Sequence, residues 1–526
     1  MKHKAVITAQ QLKYMKNSNI VKGTLILTLS GFIIRFIGFF YRIFLSNTMG
    51  AELMGIYQLV FPVYGICFTI YASGIQTSIS RLVAGEIGKR NPKNVSRILG
   101  VGMVLSVLLA VAMSALIYFY ADFIAWRILL EERCASSLKI LAVAFPFCGV
   151  TACINGYYYG LKKAGVPAAT QLLEQVVRVI AVYFIALYFG NGELKVTCEM
   201  AVIGLVAGEI ASCLYNSAAL FHEKSPSRQL IVDMDPNAKE SRPKLIIKNL
   251  LVLSVPLSAN RLLLSILHSI EAVLIPSMLR RSGLSSQDSL VVYGVLNGMS
   301  IPFIMFPTAL INALAVLLLP TISEAQAINN DKLIGKTTAI SIKYSLIVGI
   351  VSTGIFVAFG RDLGISVFHN ESAGEYLMIL AWLCPFFYLT TTLGSVINGL
   401  GKAHVTFINS IIASLLKILF IVILIPYRGI NGYLISLLIG QLIVTGLDTL
   451  AVIRNVHFSL DNINSILKPG LITLLGCIII REGYQYTKKM THINEVVYLL
   501  GFCFLLCVIC TILLVITGAV SKKDFK

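Results

Sequence analysis

Charge is scarce in this sequence. Only 13% of its 526 residues are Asp, Glu, Lys or Arg, and the mean hydropathy is +0.82. Soluble domains carry roughly 25% charged residues, so a water-soluble globular protein is excluded. Acids are scarcer still, 25 against 43 Lys and Arg. No loop offers the clustered Asp, Glu or His that a transferase or metal-dependent enzyme needs, so neither a catalytic site nor a bound metal or cofactor is expected. The alternating segments of about ten residues that mark a membrane β-barrel are missing as well. Eleven cysteines are present, almost all in apolar segments where Cys acts as a small hydrophobe. They imply no disulfide framework, and Cys503, Cys507 and Cys510 share one face of the last apolar segment without a His or carboxylate beside them.

What the chain has in abundance is apolar runs of about 20 residues, each able to cross a hydrocarbon core of ~30 Å. They predict an all-α polytopic membrane protein with about fourteen spans: 22–45, 54–79, 98–122, 138–160, 166–190, 197–221, 248–276, 291–319, 338–360, 375–399, 405–426, 430–453, 467–482 and 494–517. An even number places both termini on one side. Most Lys and Arg, including those of 81–97 and 222–247, then fall on that side, so the termini are expected in the cytoplasm and the protein in the plasma membrane. This distribution accounts for the net charge of +18 without nucleic acid as a partner. The basic N-terminus leads into an apolar stretch read as a retained first helix rather than a signal peptide.

The segment 222–247 is the one long polar, Pro-containing interruption, and the chain on either side of it repeats. "ILAVAFPFCGVTACINGYYYGLKKAGVPAATQLLEQVVRV" (140–179) aligns without gaps on 379–418, at an offset of 239, with eleven of 40 positions identical. Pro146/Pro385, Gly160/Gly399, Lys163/Lys402 and Ala164/Ala403 are among them, and Arg178 falls opposite Lys417. The expected organisation is a six-helix N-terminal lobe (1–221), a cytoplasmic linker (222–247), a six-helix C-terminal lobe (248–455) related by pseudo-two-fold symmetry, and two further helices with a cytoplasmic tail (456–526). Two equivalent halves suit a transporter that rocks between states. Prolines 146, 256, 302, 307 and 385 are places where its helices could kink.

Several stretches resemble the superfamily of multidrug/oligosaccharidyl-lipid/polysaccharide exporters, and within it the stage V sporulation protein B group. They include "GFIIRFIGFFYRIFLSNTMGAELMGIYQLVFPVYGI" (31–66), "SGIQTSISRLVAGE" (73–86), "NGYYYGLKKAGVPAATQLLEQVVRV" (155–179), "EAVLIPSMLRRSG" (271–283) and "YGVLNGMSIPFIMFPTALINALAVLLLPTISEA" (293–325). The resemblance implies alternating-access transfer of a lipid-linked glycan, of peptidoglycan type and for spore cortex, from the inner to the outer leaflet. It implies membrane lipids and cell-wall synthesis proteins as neighbours. The similar lipid II flippases carry an Arg just before the Phe-Pro of span 8, whereas "SIPFIM" before Phe306-Pro307 has none. A cation-coupled multidrug antiporter of the same fold and a non-transporting scaffold are the alternatives.

A lipid-diphosphate headgroup calls for arginines, whose planar fork stays charged and donates two hydrogen bonds. Arg35 at mid-depth of span 1 and Arg261 at mid-depth of span 7 are the expected phosphate clamp. Arg42, two turns beyond Arg35, and Arg81, at the cytoplasmic end of span 2, are further candidates. Glu271, Asp448 and Glu209 are candidates for H⁺ or Na⁺ coupling, because a carboxylate within a span is costly unless it has a job. Glu174 and Arg178, at i,i+4 in the polar stretch "QLLEQVVRVI", pair on one helix face. With Lys417 they are read as structural anchors or secondary headgroup contacts.

Overall fold

The computed structural model describes residues 19–89, 91–189, 194–222, 242–488 and 494–520. Most of the expected linker, both terminal tails and the loop at 190–193 lie outside these residues.

No strand occurs among them. The helices are α1 (Asn19–Phe68), α2 (Gly74–Gly88), α3 (Pro92–Phe123), α4 (Cys134–Ala142), α5 (Phe145–Gly160), α6 (Gly165–Phe189), α7 (Cys198–His222), α8 (Pro243–Arg281) and α9 (Ser286–Gly294). They continue with α10 (Ile301–Met305), α11 (Thr308–Ala327), α12 (Asp331–Phe368), α13 (Glu371–Leu380), α14 (Cys384–Gly399), α15 (Ala403–Arg428), α16 (Ile430–Asn455), α17 (Lys468–Lys488) and α18 (Glu495–Ile516). Among the described residues, thirteen stretches are long and apolar enough to cross a membrane, or up to fourteen with the bent pair α4–α5, whose axes differ by 48°. The protein is a multi-pass membrane protein.

Among the described residues, each of the fourteen expected spans is mostly helical, but the helices start, end and break in ways hydropathy does not reveal. At ~1.5 Å per residue, the 50 residues of α1 would run far beyond a ~30 Å core. Gly50, at φ 76° and ψ 172°, breaks the helix between the expected spans 1 and 2. Within span 4, α5 follows a break at 143–144 with Pro146 in its first turn, and α14 likewise follows a short 3₁₀ turn at Ala381–Leu383 with Pro385 in its first turn. A proline tolerates the first helical turn because its missing N–H has no partner there. The expected span 291–319 is made of α9, a π segment (Val295–Ser300), α10 and α11, interrupted at Phe306-Pro307.

The chain divides into two compact units, residues 1–38 with 60–265, and residues 39–59 with 266–526. Both α1 and α8 therefore contribute to each unit. In the first unit, Ile75, Ile79 and Val83 of α2 pack with Ile98 and Leu99 of α3, Cys153 and Tyr157 of α5, and Leu250 of α8. In the second, Leu318 and Ile322 of α11 pack with Ile334 and Ile342 of α12, Val396 of α14 and Val452 of α16.

The repeat is visible in backbone detail. Asn91 caps α3 by accepting from Asn94 N–H, and Asn330, 239 residues later, caps α12 by accepting from Leu333 N–H. Leu130 and His369 both end helical segments in the left-handed region, as do Lys162 and Gly401 in the loops before α6 and α15. Each pair is separated by the same 239. The same offset holds in span 2 and its counterpart: a Cβ at Gly160 would meet the Ser80 carbonyl and Val83, and one at Gly399 would meet the Leu319 carbonyl and Ile322.

Candidate functional site

In the first unit, Arg35 is exposed on α1 and has no hydrogen-bond or ion-pair partner among the described residues. Arg261 on α8 is engaged. Its Nη1 donates 3.1 Å to the Ser73 carbonyl and also to the Ser73 hydroxyl. Ser73 ends the π segment of span 2, where widened backbone leaves carbonyl oxygens available to side-chain donors. Thr69, in the same segment, lies 3.5 Å from Ser265 hydroxyl to hydroxyl. Arg81 is exposed on α2, also without a partner among the described residues.

Glu174 and Arg178 of α6 form the expected i,i+4 ion pair, with only 19% and 14% of their side chains exposed. Glu209 of α7 is 6% exposed and accepts a hydrogen bond of 3.0 Å from the Tyr64 hydroxyl of α1. It makes no ion pair among the described residues. These groups border one cavity of about 330 Å³, which Gln76, Asn155 and Gln171 also line. Two glycines bring its walls close. A Cβ at Gly208 would lie 2.7 Å from the Glu174 carbonyl, and one at Gly156 would lie 2.5 Å from the Gln76 carbonyl. Asn155 is fixed from behind by Asn216, whose Nδ2 donates to its Oδ1 at 3.1 Å.

In the second unit, Glu271 of α8 meets Lys417 of α15 at 2.6 Å, with 12% and 20% side-chain exposure, and His268 Nδ1 stands 3.8 Å from the same carboxylate. Asp448 of α16 is 3% exposed and accepts 2.8 Å from Asn409 Nδ2. Arg42 of α1 is half-buried, within electrostatic reach of Tyr57.

The candidate residues thus gather as three groups: Glu174, Arg178 and Glu209 around the first unit's cavity, Glu271 with Lys417, and Asp448 with Asn409. Arg35, Arg42 and Arg81 join none of them. Sequence reasoning did not single out Tyr64, Gln76, Asn155, Asn409 or Ser73, which are uncharged. It also stopped the repeat at 179/418. Carried on at the same offset, the repeat puts Glu209 opposite Asp448 and Asn216 opposite Asn455, so the two most buried candidate acids occupy equivalent places.

Two helical repeats that each bury ionisable groups within membrane spans, followed by two extra helices, define an exporter-type membrane transporter fold. Residues 20–326 match the polysaccharide biosynthesis protein family, and the chain belongs to it. The chain is 24% identical over 517 residues to stage V sporulation protein B of Bacillus subtilis (strain 168), covering 97% of this chain and 98% of that one. Lipid II flippase MurJ of the same organism is 22% identical, with 81% of each chain covered. Among solved structures, a lipid II flippase MurJ in an inward closed conformation superposes with a TM-score of 0.68 at 15% identity, over 95% of this chain and 99% of that one. An inward-facing multidrug resistance transporter of the MATE family, in the multidrug/oligosaccharidyl-lipid/polysaccharide superfamily, gives 0.66 at 17% identity, over 80% and 97%. The chain shares their two-lobe fold.

Proposed function

We propose that the protein flips a lipid-linked glycan precursor of peptidoglycan type from the inner to the outer leaflet of the cell membrane, with both termini in the cytoplasm. In this reading it is a transporter and not an enzyme, it works beside cell-wall synthesis proteins, and the sporulation relative suggests the spore cortex as destination. The observation that carries it is Arg35, a guanidinium within a membrane span that has no partner among the described residues. A charge at mid-span costs ~2.5–3.5 kcal/mol on insertion scales, and an anionic diphosphate passing it would offset that cost. Arg261 serves the same phosphate by exchanging Ser73 for the headgroup, and Arg42 and Arg81 extend the cationic route on either side. An exporter of cationic drugs would place acids at these depths.

Alternating access follows from movement of the two lobes. Glu271 already has its counter-charge in Lys417, so we assign H⁺ or Na⁺ coupling to Asp448, whose partner Asn409 is neutral. The test is reconstitution in proteoliposomes with a fluorescent lipid-linked disaccharide precursor. The expected result is label appearing in the opposite leaflet at a rate above protein-free vesicles. A scaffold would give no such signal.

A further inference from the structure

The cavity of the first unit does not fit a phosphate. Its one cation, Arg178, is held by Glu174, and the remaining charge, Glu209, is negative. What the cavity offers instead is hydrogen-bonding groups and an aromatic wall. Gln76 and Gln171 line it and have no hydrogen-bond partner among the described residues. Gln76 is half-buried and Gln171 exposed, so both amides are accessible, and each can serve a ligand as both donor and acceptor. Asn155 is held by Asn216 through its Oδ1, which leaves its own N–H groups for the cavity. Glu209 has lone pairs left over after accepting from Tyr64.

The opposite wall comes from one face of α1. Phe61, Tyr64 and Phe68 stand at i, i+3 and i+7, and the rings of Tyr64 and Phe68 stack with centroids 5.9 Å apart at 26°. Aromatic faces receive the C–H side of a sugar ring, while amides and carboxylates receive its hydroxyls. At about 330 Å³ the cavity is at the small end of ligand pockets, which run from about 300 to 1,000 Å³. It therefore suits a single ring.

We infer that this cavity is a saccharide subsite that holds one neutral sugar ring bearing hydroxyl and amide groups, with Gln76, Gln171, Asn155 and Glu209 as its hydrogen-bonding residues and the α1 aromatics as its stacking face. The inference rests on the glycan-carrier reading above and deepens it. The charged end of the cargo goes to the arginines, and one sugar goes to the first unit. Such a site discriminates by its polar groups, since a ligand lacking a matching hydroxyl or amide leaves them unpaired.

The test is saturation-transfer difference NMR on the full chain in a detergent without sugar groups, with N-acetylglucosamine and inorganic pyrophosphate as separate probes. Wild-type protein is expected to give a sugar signal. Gln76→Leu and Gln171→Leu should each weaken apparent sugar affinity at least tenfold and leave the pyrophosphate signal unchanged. Arg35→Ala should do the reverse. Gln171→Asn, which keeps an amide one methylene shorter, should give an intermediate loss, and it is the variant to read if a leucine variant does not elute as a single species. A sugar signal equal in wild type and the glutamine variants, or absent from folded wild type, overturns the subsite. Loss of the glycan-carrier reading looks different: the reconstituted protein binds the sugar in a glutamine-dependent way yet moves no lipid-linked precursor.

Discussion

Leu130 and His369, 239 residues apart, both hold their backbone in the left-handed region, at φ 56° and 51°. Neither is a glycine, and each closes a helical segment at the same place in its half of the chain. A side chain in this conformation costs roughly 1–2 kcal/mol, so two halves with largely different side chains retain the same strained corner. The duplication is therefore recorded in backbone geometry as well as in residue identity.

The same geometry makes Lys162 a candidate for improvement. Its φ is 59°, and its equivalent, Gly401, adopts φ 74° without a Cβ penalty. Lys162→Gly should stabilise the folded chain by about 0.5–1 kcal/mol after the gain in unfolded-chain entropy is subtracted. Gly401→Lys should destabilise by a similar amount. Thermal denaturation followed by size-exclusion chromatography reads both, and a lower midpoint for Lys162→Gly would contradict this account of the turn.

The Glu271–Lys417 pair ties α8 to α15 across 2.6 Å with little exposure on either side. Removing one partner of such a pair leaves a buried charge uncompensated, typically at 3–5 kcal/mol. Glu271→Gln should therefore lower thermal stability strongly, whereas Glu271→Met with Lys417→Met should recover most of the loss. A double-mutant cycle measures the coupling directly. Additive losses would mean that the two charges do not depend on each other.

Asp448→Asn keeps the shape of the side chain next to Asn409 and removes its charge. If Asp448 carries the coupling ion, the variant should lose the response of transport to an imposed H⁺ or Na⁺ gradient while still binding cargo. Glu271→Gln/Lys417→Met should retain that response. Gradient-driven uptake into proteoliposomes separates the two, and unchanged gradient dependence in Asp448→Asn would remove this residue from the coupling role.

Much of this fold was legible in the sequence because lipid leaves few options. An apolar run of about 20 residues has to be a helix, and the Pro146/Pro385 and Gly160/Gly399 matches expose the duplication. The Glu174–Arg178 pair was legible too, since i,i+4 spacing is local. What stayed hidden depends on long-range packing or on uncharged groups. The π segment at Thr69–Ser73 has no signature in composition, so the Arg261–Ser73 contact could not be foreseen. The Tyr64–Glu209 contact joins residues 145 apart in the chain. The assignment of 39–59 to one unit and 243–265 to the other follows from where two long helices pack, not from any boundary in hydropathy.

In the proposed function, the unpartnered Arg35 of the first span meets the diphosphate of a lipid-linked glycan. The most direct measurement is the initial rate of labelled-precursor transfer in proteoliposomes containing equal amounts of wild-type, Arg35→Lys, Arg35→Ala and Arg35→Ala/Arg261→Ala protein. The expected results are a modest loss for Arg35→Lys, which keeps the charge but not the two-pronged donor, at least a tenfold loss for Arg35→Ala, and near-background transfer for the double variant. Wild-type rates in the double variant, at normal protein levels, would contradict the proposed function.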